Sequence, residues 1–270
     1  MRDAGNLHLA DAIAVEEPLE IRVLRAGDTD HGGTGRAISI TMRTPGNDRE
    51  LALGFLFGEG VLRDRQDVLD VRPCGPTGNT LRVTVRPDLP LDVKRLERNF
   101  YTTSSCGVCG KASLEAVTAT LGMRRIDSEF SVREAVLRGL PESLKSRQSG
   151  FAQTGGMHAV GVFDVDGEPV ACYEDVGRHN AMDKLVGATL LVGKLPLRER
   201  VLLLSGRASF ELIQKAMMAG APVVAAIGAP STLAVELAEA AGITLVAFLR
   251  AGGCNVYTHA ARVVPMRGAA

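Results

Sequence analysis

Neither sign of charge prevails in this chain: 31 basic residues meet 31 acidic ones, and the formal net charge is zero. Without an overall positive field, electrostatics alone does not draw a protein to nucleic acid or to an anionic membrane, so any anion it binds must be held locally. No apolar run reaches the roughly 18 residues a membrane helix needs. The N-terminus, MRDAGNLHLADAIAVEEPLE, carries acids early and has no basic stretch leading into an apolar one, unlike a secretory signal. We therefore expect a cytoplasmic protein with no nucleic-acid and no membrane partner. Lysine is scarce, 6 residues against 25 arginines. The guanidinium fork suits oxyanions, but a compositional bias of the source genome explains that excess more simply. Cysteine is present in an odd number, five, which is no disulfide framework, and a reducing compartment would keep the thiols free. Cys74, Cys172 and Cys254 stand alone and are expected to be small packing side chains.

What is present suits a packed core: 46% of the 270 residues are hydrophobic, enough for one large domain or two smaller ones. From Leu19 to about Arg86 the chain reads as short strands around one helix. LEIRVLR, RAISITM and TLRVTVR alternate apolar and polar residues as half-buried strands do. NDRELALGFLFGEG offers Asn47 or Asp48 as N-cap, an apolar face and terminal glycines, the marks of a helix. This half is expected to be a small α+β unit with no chemical constellation of its own.

Further on the period changes. SVREAVLRGLPESLKSR has Ser131 and Glu134 at capping-box spacing and reads as a helix that Gly139 and Pro141 threaten to break. HAVGVFDVDGEPVACYEDVG is two apolar runs turning at Asp166-Gly167, a hairpin signal. A helical segment, NAMDKLVGATLLVG, follows. Then strand VLLLS, a helix over 210–219, strand PVVAAIG, helix TLAVELAEAAG and strand ITLVAFL alternate, which predicts parallel strands with right-handed crossovers. The loops 205–209, 228–232 and 250–255 should share one sheet edge, where ligands of open α/β sheets lie. All three are rich in small residues, two lead into helix N-termini that favour anions, and two carry an arginine, Arg207 and Arg250. Short loops need small residues in any case, but the three together favour a phosphate-bearing ligand.

The segment YTTSSCGVCGKAS places Cys106 and Cys109 three residues apart, each followed by glycine. Zinc would require a second ligand pair, and the five histidines are scattered singly. Thiol–disulfide exchange fits a C-x-x-C at the start of a helix-like stretch, but the pair follows about 100 residues of another unit rather than the first strand of a small βαβ fold. The third reading is a sulfur relay: a nucleophilic thiolate that accepts sulfane sulfur as a persulfide, with Gly107 and Gly110 giving clearance for bulky partners. Spacing alone leaves redox work and sulfur relay open.

TSSCGVCG, TGGMHAV, YEDVGRHNAMDKLVG, SGRASFELIQKAMMAG, GAPSTLAVELAEAAGITLVAFLRAGG and VYTH together resemble the FdhD family, sulfur carriers required for formate dehydrogenase activity. The likeness runs from about Pro18 to His259. It implies that Cys106 bears a persulfide received from a cysteine desulfurase, with Cys109 as its partner. The acceptor it implies is the molybdenum cofactor, bis(molybdopterin guanine dinucleotide), before insertion into formate dehydrogenase. It also marks Phe248, Leu249, Arg250, Ala251, Gly252 and Gly253 as a cofactor-binding stretch for the guanine-nucleotide moiety. Arg207 joins them on the sheet-edge reasoning alone. The protein is expected to have no tightly bound metal of its own, and the family suggests a homodimer. A cofactor-binding chaperone, or a thiol–disulfide oxidoreductase without sulfur transfer, is the competing function.

The resemblance further implies a fold: an α+β part over 1–105, then a cytidine-deaminase-like three-layer α/β/α sheet over 106–270. Zinc deaminases place H-x-E and P-C-x-x-C at the starts of two successive helices. Here EDVGRHN and SGRASFE stand there, so the catalytic zinc is not expected and hydrolytic deamination is disfavoured. His158, Glu174, Asp175, Arg178, His179 and Lys184 form a remaining polar cluster, readable equally as part of a pocket or as a structural network around the hairpin-to-helix turn.

Overall fold

A computed structural model describes residues 11–29, 34–76, 78–91 and 125–266. The first sheet holds β1 (Glu17–Arg25), β2 (Arg36–Arg43), β3 (Val68–Pro73) and β4 (Thr80–Val85) in the order β2-β1-β4-β3. Alternation does what it predicts: Leu19, Ile21 and Val23 of β1 and Leu81, Val83 and Val85 of β4 are buried while their neighbours are not. Helix α1 (Asp48–Gly58) follows. Its N-cap is Asn47, in left-handed backbone and without a side-chain cap, while the Asp48 carboxylate accepts from Arg43 at 2.9 and 3.0 Å.

The second sheet has six strands in the order β11-β10-β9-β8-β6-β7. The predicted hairpin is β6 (His158–Phe163) and β7 (Pro169–Asp175), and Gly167 takes the positive φ, 86°, that its turn requires. β8 (Val201–Leu204), β9 (Val223–Ala226) and β10 (Thr244–Arg250) run parallel, separated by α5 (Phe210–Met218) and α6 (Thr232–Ala241). An antiparallel edge strand, β11 (Gly253–Val256), which the sequence pattern did not announce, pairs with β10. A short parallel pair, β5 (Val132–Arg133) with β12 (Val263–Val264), completes the strands.

Strands β8 and β9 are buried throughout because both faces are covered. Val201, Leu203, Val223, Ala225 and Val246 pack against Leu137, Leu140 and Leu144 of α2 (Glu134–Lys145). Their alternates Leu202, Leu204, Val224, Ala226 and Leu245 join the core under α4 (Arg178–Leu191), α5 and α6. Helix α2 differs from expectation in two ways. It runs through Pro141 unbroken, with an apolar face strong enough to offset one missing N–H donor, and its cap is not Ser131 but Arg133, which makes no side-chain cap. Glu134, free of any capping box, pairs instead with Arg138.

Helix α4 is the centre of the molecule, buried from Asn180 to Gly187. Against α1 it crosses at backbone contact: a Cβ on Gly54 would stand 1.9 Å from the Asp183 carbonyl oxygen, and one on Gly187 would stand 1.8 Å from that of Glu50. Only glycine allows that approach. One continuous core consequently spans both sheets, from Leu19 and Val83 to Leu202 and Val224.

Candidate functional site

The three loops do lie along one edge, and they are joined there. Gly228 N donates to Gly206 O at 2.9 Å, Ala208 N to Ala229 O at 3.1 Å, Ser231 N to Ala208 O at 3.0 Å and Phe248 N to Gly228 O at 3.2 Å. The parallel ladder thus continues past the strand ends, with Ala208 bridging Pro230. A Cβ on Gly228 would meet Gly206 backbone at 2.9 Å, so the small residues of these loops let two backbones touch.

Within this edge Arg207, Arg250, Ala251 and Gly252 are exposed, and added Cβ atoms at Gly252 and Gly253 would meet nothing within 4 Å. Leu249 behaves differently: its side chain is 1% exposed and belongs to the core beside α2, leaving only its backbone to the edge. Phe248 is half-buried with φ 52°, a left-handed conformation rare for an aromatic residue, and it sits where the β10–β11 register shifts. Its carbonyl oxygen accepts from Arg250 Nε at 3.3 Å.

The polar cluster divides in two. Asp175 and Lys184 form a buried ion pair at 2.8 Å, and Lys184 Nζ also donates to Thr44 O at 2.9 Å. Asp175 accepts from Gly177 N, Thr44 N and Asn180 Nδ2, while Asn180 bonds Met42 O and Thr41 Oγ1. Those bonds fasten the end of β2 to the β7–α4 turn. Glu174 accepts from Gly150 N and Phe151 N, capping α3 (Ser149–Thr154). All three are thus engaged by partners within the protein.

His158 and His179 instead lie beside the loop after β8 and the start of α5, with the charge of Arg178 near enough to act on His158. Ser205 and Ala159 exchange bonds at 2.9 and 3.0 Å, which sets the His158 ring beside Gly206, its Nδ1 3.4 Å from where a Cβ would stand. His179 Nε2 lies 3.4 Å from Ser209 Oγ and 2.8 Å from a Glu211 carboxylate oxygen. Burial first, and then the charges of Arg178 and His179, hold His158 below its ordinary 6.5. The hydrogen bond from His179 is the main reason that Glu211 is held below the usual carboxylate value, with Arg178 contributing. One turn deeper between the same helices, Asp183 and Lys215 pair at 2.6 Å, fully buried, with Lys215 5.7 Å from the Phe55 ring. Burial disfavours the Lys215 charge, but Asp183 and then Glu59 more than offset it and keep the ammonium above its ordinary value. That pair was missed in the sequence; Glu211 and Lys215 one turn apart on α5, facing His179 and Asp183 one turn apart on α4, were the available signal.

Two of the solitary cysteines are chemically quiet. Burial, then Glu174, pushes the Cys172 thiol up to about 11, and burial raises that of Cys254. Cys106 and Cys109 lie outside the described residues. A cavity of about 1220 Å3 opens at the other ends of α4 and α5, lined by Phe57, Arg63, Ile126, Leu190 and Met217, and takes no part in this edge.

The sequence profile of the FdhD/NarQ family matches residues 14–264. The chain belongs to that family. Among similar proteins, the sulfur carrier protein FdhD of Mycolicibacterium paratuberculosis is 50% identical over 260 residues, covering 94% of this chain and 92% of the relative. That of Mycobacterium tuberculosis is 50% identical over 264 residues with the same coverage, and that of Saccharolobus solfataricus is 41% identical over 263, covering 97% and 95%. The crystal structure of a protein assigned as a formate dehydrogenase accessory protein, from Desulfotalea psychrophila, superposes with a TM-score of 0.72 at 22% identity, covering 98% of this chain and 96% of that one. The last likeness shows that this FdhD/NarQ chain shares its fold. No described helix is long and apolar enough to cross a membrane.

Proposed function

We propose that this chain is a cytoplasmic sulfurtransferase in formate dehydrogenase maturation, taking sulfur from a cysteine desulfurase and passing it to bis(molybdopterin guanine dinucleotide) as substrate. The observation that carries the reading is half-identity, over nearly the whole chain, to proteins named sulfur carriers. Thiol chemistry supports it. A carrier needs a thiolate; burial raises the Cys172 and Cys254 thiols, and of the three cysteines left, Cys74 stands alone while Cys106 and Cys109 form the C-x-x-C pair. In this reading the Cys106 thiolate attacks the terminal sulfur of the donor persulfide, forming a new S–S bond as the donor thiolate leaves. Cys109 then attacks the inner sulfur of Cys106, releasing hydrosulfide to the acceptor and leaving a Cys106–Cys109 disulfide that an external dithiol must reopen.

The guanine-nucleotide part of the substrate would be held at the sheet edge by Arg250, Arg207 and the backbone of 248–253. The open space at Gly252 and Gly253 and the exposure of both arginines fit that use. The strand order β7-β6-β8-β9-β10, with β6 antiparallel to both of its neighbours and helices on both faces, supports reading 106–270 as a deaminase-like scaffold without its zinc, beside the small α+β unit of 1–105. A homodimer is proposed as the working form.

Incubation with a cysteine desulfurase and cysteine, followed by intact-mass measurement, tests the carrier. Wild type should gain one sulfur atom on the peptide holding Cys106, and Cys106→Ala should gain none while folding normally. A chaperone that only holds cofactor gains none in either form, and full enzyme maturation by Cys106→Ala would remove the persulfide role.

A further inference from the structure

Strand β7 ends the six-stranded sheet, with β6 on one side and no strand of the described residues on the other. Ser205 holds both the N–H and the carbonyl of Ala159, so the next residue of β6, Val160, turns its own pair toward Tyr173 of β7. Cys172 therefore points its N–H and C=O away from β6, free to pair with another strand. Sheet edges are ordinarily blunted by charge, proline or irregular pairing. The edge strand β3 follows that rule with Asp70, Arg72 and Pro73. In β7, Pro169 and a register shift blunt only the start; Val170-Ala171-Cys172-Tyr173 carries no charge, and Val170 is 44% exposed.

Beside that edge a groove of about 640 Å3 lies between β7 and the end of α4, walled by Val162, Tyr173, Ala188 and Val192, the last 63% exposed. Lys194, Arg198 and Arg200 stand around it without an ion pair among the described residues, against one acid, Glu199. An apolar groove with a basic rim beside an open strand suits an extended segment that alternates apolar and acidic side chains. A second copy of the chain fits less well, because a two-fold contact would set the basic rim against itself. Val162 and Arg200 place the groove at the end of the sheet opposite the loops 205–209, 228–232 and 250–255, so an occupant leaves that edge free. Pro196, Arg198 and Glu199 also line the large cavity, and Arg125, where the described chain resumes after Cys109, stands in its wall. Resting on the carrier reading, we infer that the protein donating the sulfur docks here, adding an acidic and apolar segment to β7 as a strand. The β7 backbone sets its register, the groove takes alternate apolar side chains, and Lys194, Arg198 and Arg200 meet its acids.

Hydrogen–deuterium exchange and calorimetry on the full chain, with the cysteine desulfurase of the same organism, test the assignment. The desulfurase should slow exchange across 169–175, and the complex should weaken with salt. Arg198→Glu should lose about tenfold or more in affinity, while Arg72→Glu, an equal change of net charge on β3, should bind as wild type does. Cys172→Pro, whose missing N–H faces away from β6, should fold and bind poorly, whereas Cys172→Ala should bind normally. Persulfide loading at low desulfurase concentration should slow in Arg198→Glu by the same factor and recover when desulfurase saturates. Absence of β7 protection in the complex, or wild-type affinity in Arg198→Glu, would overturn the docking site while sulfur loading, and so the carrier reading, stands. Protection of β7 that grows with the concentration of the protein alone would give the edge to a second copy and overturn it as well. Wild type that never loads sulfur would instead remove the carrier reading, and the donor's site with it.

Discussion

Substituting Gly187 by alanine puts the α1–α4 crossing under direct test. The new methyl would stand 1.8 Å from the Glu50 carbonyl oxygen, where ordinary contact begins near 3.4 Å, so the helices must part by about 1.6 Å. No flexible side chain can give way, because the obstacle is backbone. Gaps of even 0.5–1 Å forfeit about a quarter to a half of each dispersion contact along an interface, which puts the cost at or beyond the upper end of the roughly 1–3 kcal/mol typical of overpacking. Alanine returns about 1 kcal/mol of helix propensity. We expect a net loss of about 2–3 kcal/mol, or a Tm lower by about 4–12 °C. Gly139→Ala in α2 is the control, since its Cβ would meet nothing within 4 Å, and it should gain up to about 1 kcal/mol. Thermal and urea unfolding read both. Equal stability of Gly187→Ala and wild type would refute the close-crossing argument.

Two further outcomes follow from buried charge. Lys215→Met leaves Asp183 buried without its cation and should cost about 3–5 kcal/mol, whereas Asp183→Leu with Lys215→Met together should restore most of it; single variants within about 1 kcal/mol of wild type would sink this account. Stability should fall on acidification in two stages. His158, depressed in the folded state, binds its proton more readily when unfolded, so stability drops as pH falls below 6.5 toward its folded value. Glu211, also depressed, adds a loss below 4.5 as pH falls through its folded value. His158→Gln should flatten the first stage only, as seen in Tm against pH.

Much of this architecture was legible because local and global signals agree. The run from Val201 to Arg250 alternates strand and helix so strictly that the parallel order, and hence the shared edge of the three loops, follows from it. Strands β3 and β11 escaped because they are sheet edges, short and with mixed burial, so no clean period marks them. Ser131 and Glu134 have the spacing of a capping box, but Arg138 one turn on offers Glu134 a stronger partner. The polar cluster was visible as a cluster, and its division was not: whether Asp175 serves a ligand or Lys184 depends on Thr44, brought in from 131 positions away in the chain. Lys215 reads as an ordinary polar residue of an amphipathic helix until Asp183 is placed beside it. Gly54 and Gly187 carry no signal singly, because a helical glycine is informative only once its opposite number is known.

Thiols held in the protonated state acquire a further meaning if sulfane sulfur is what the chain conveys. Persulfide sulfur hops to any thiolate within reach, so every ionised cysteine besides the carrier is a side exit. With its thiol near 11, Cys172 is ionised in only about one molecule in ten thousand at neutral pH. Burying that sulfur beside Glu174 closes an exit without any barrier to diffusion, and delivery fidelity becomes a matter of acidity.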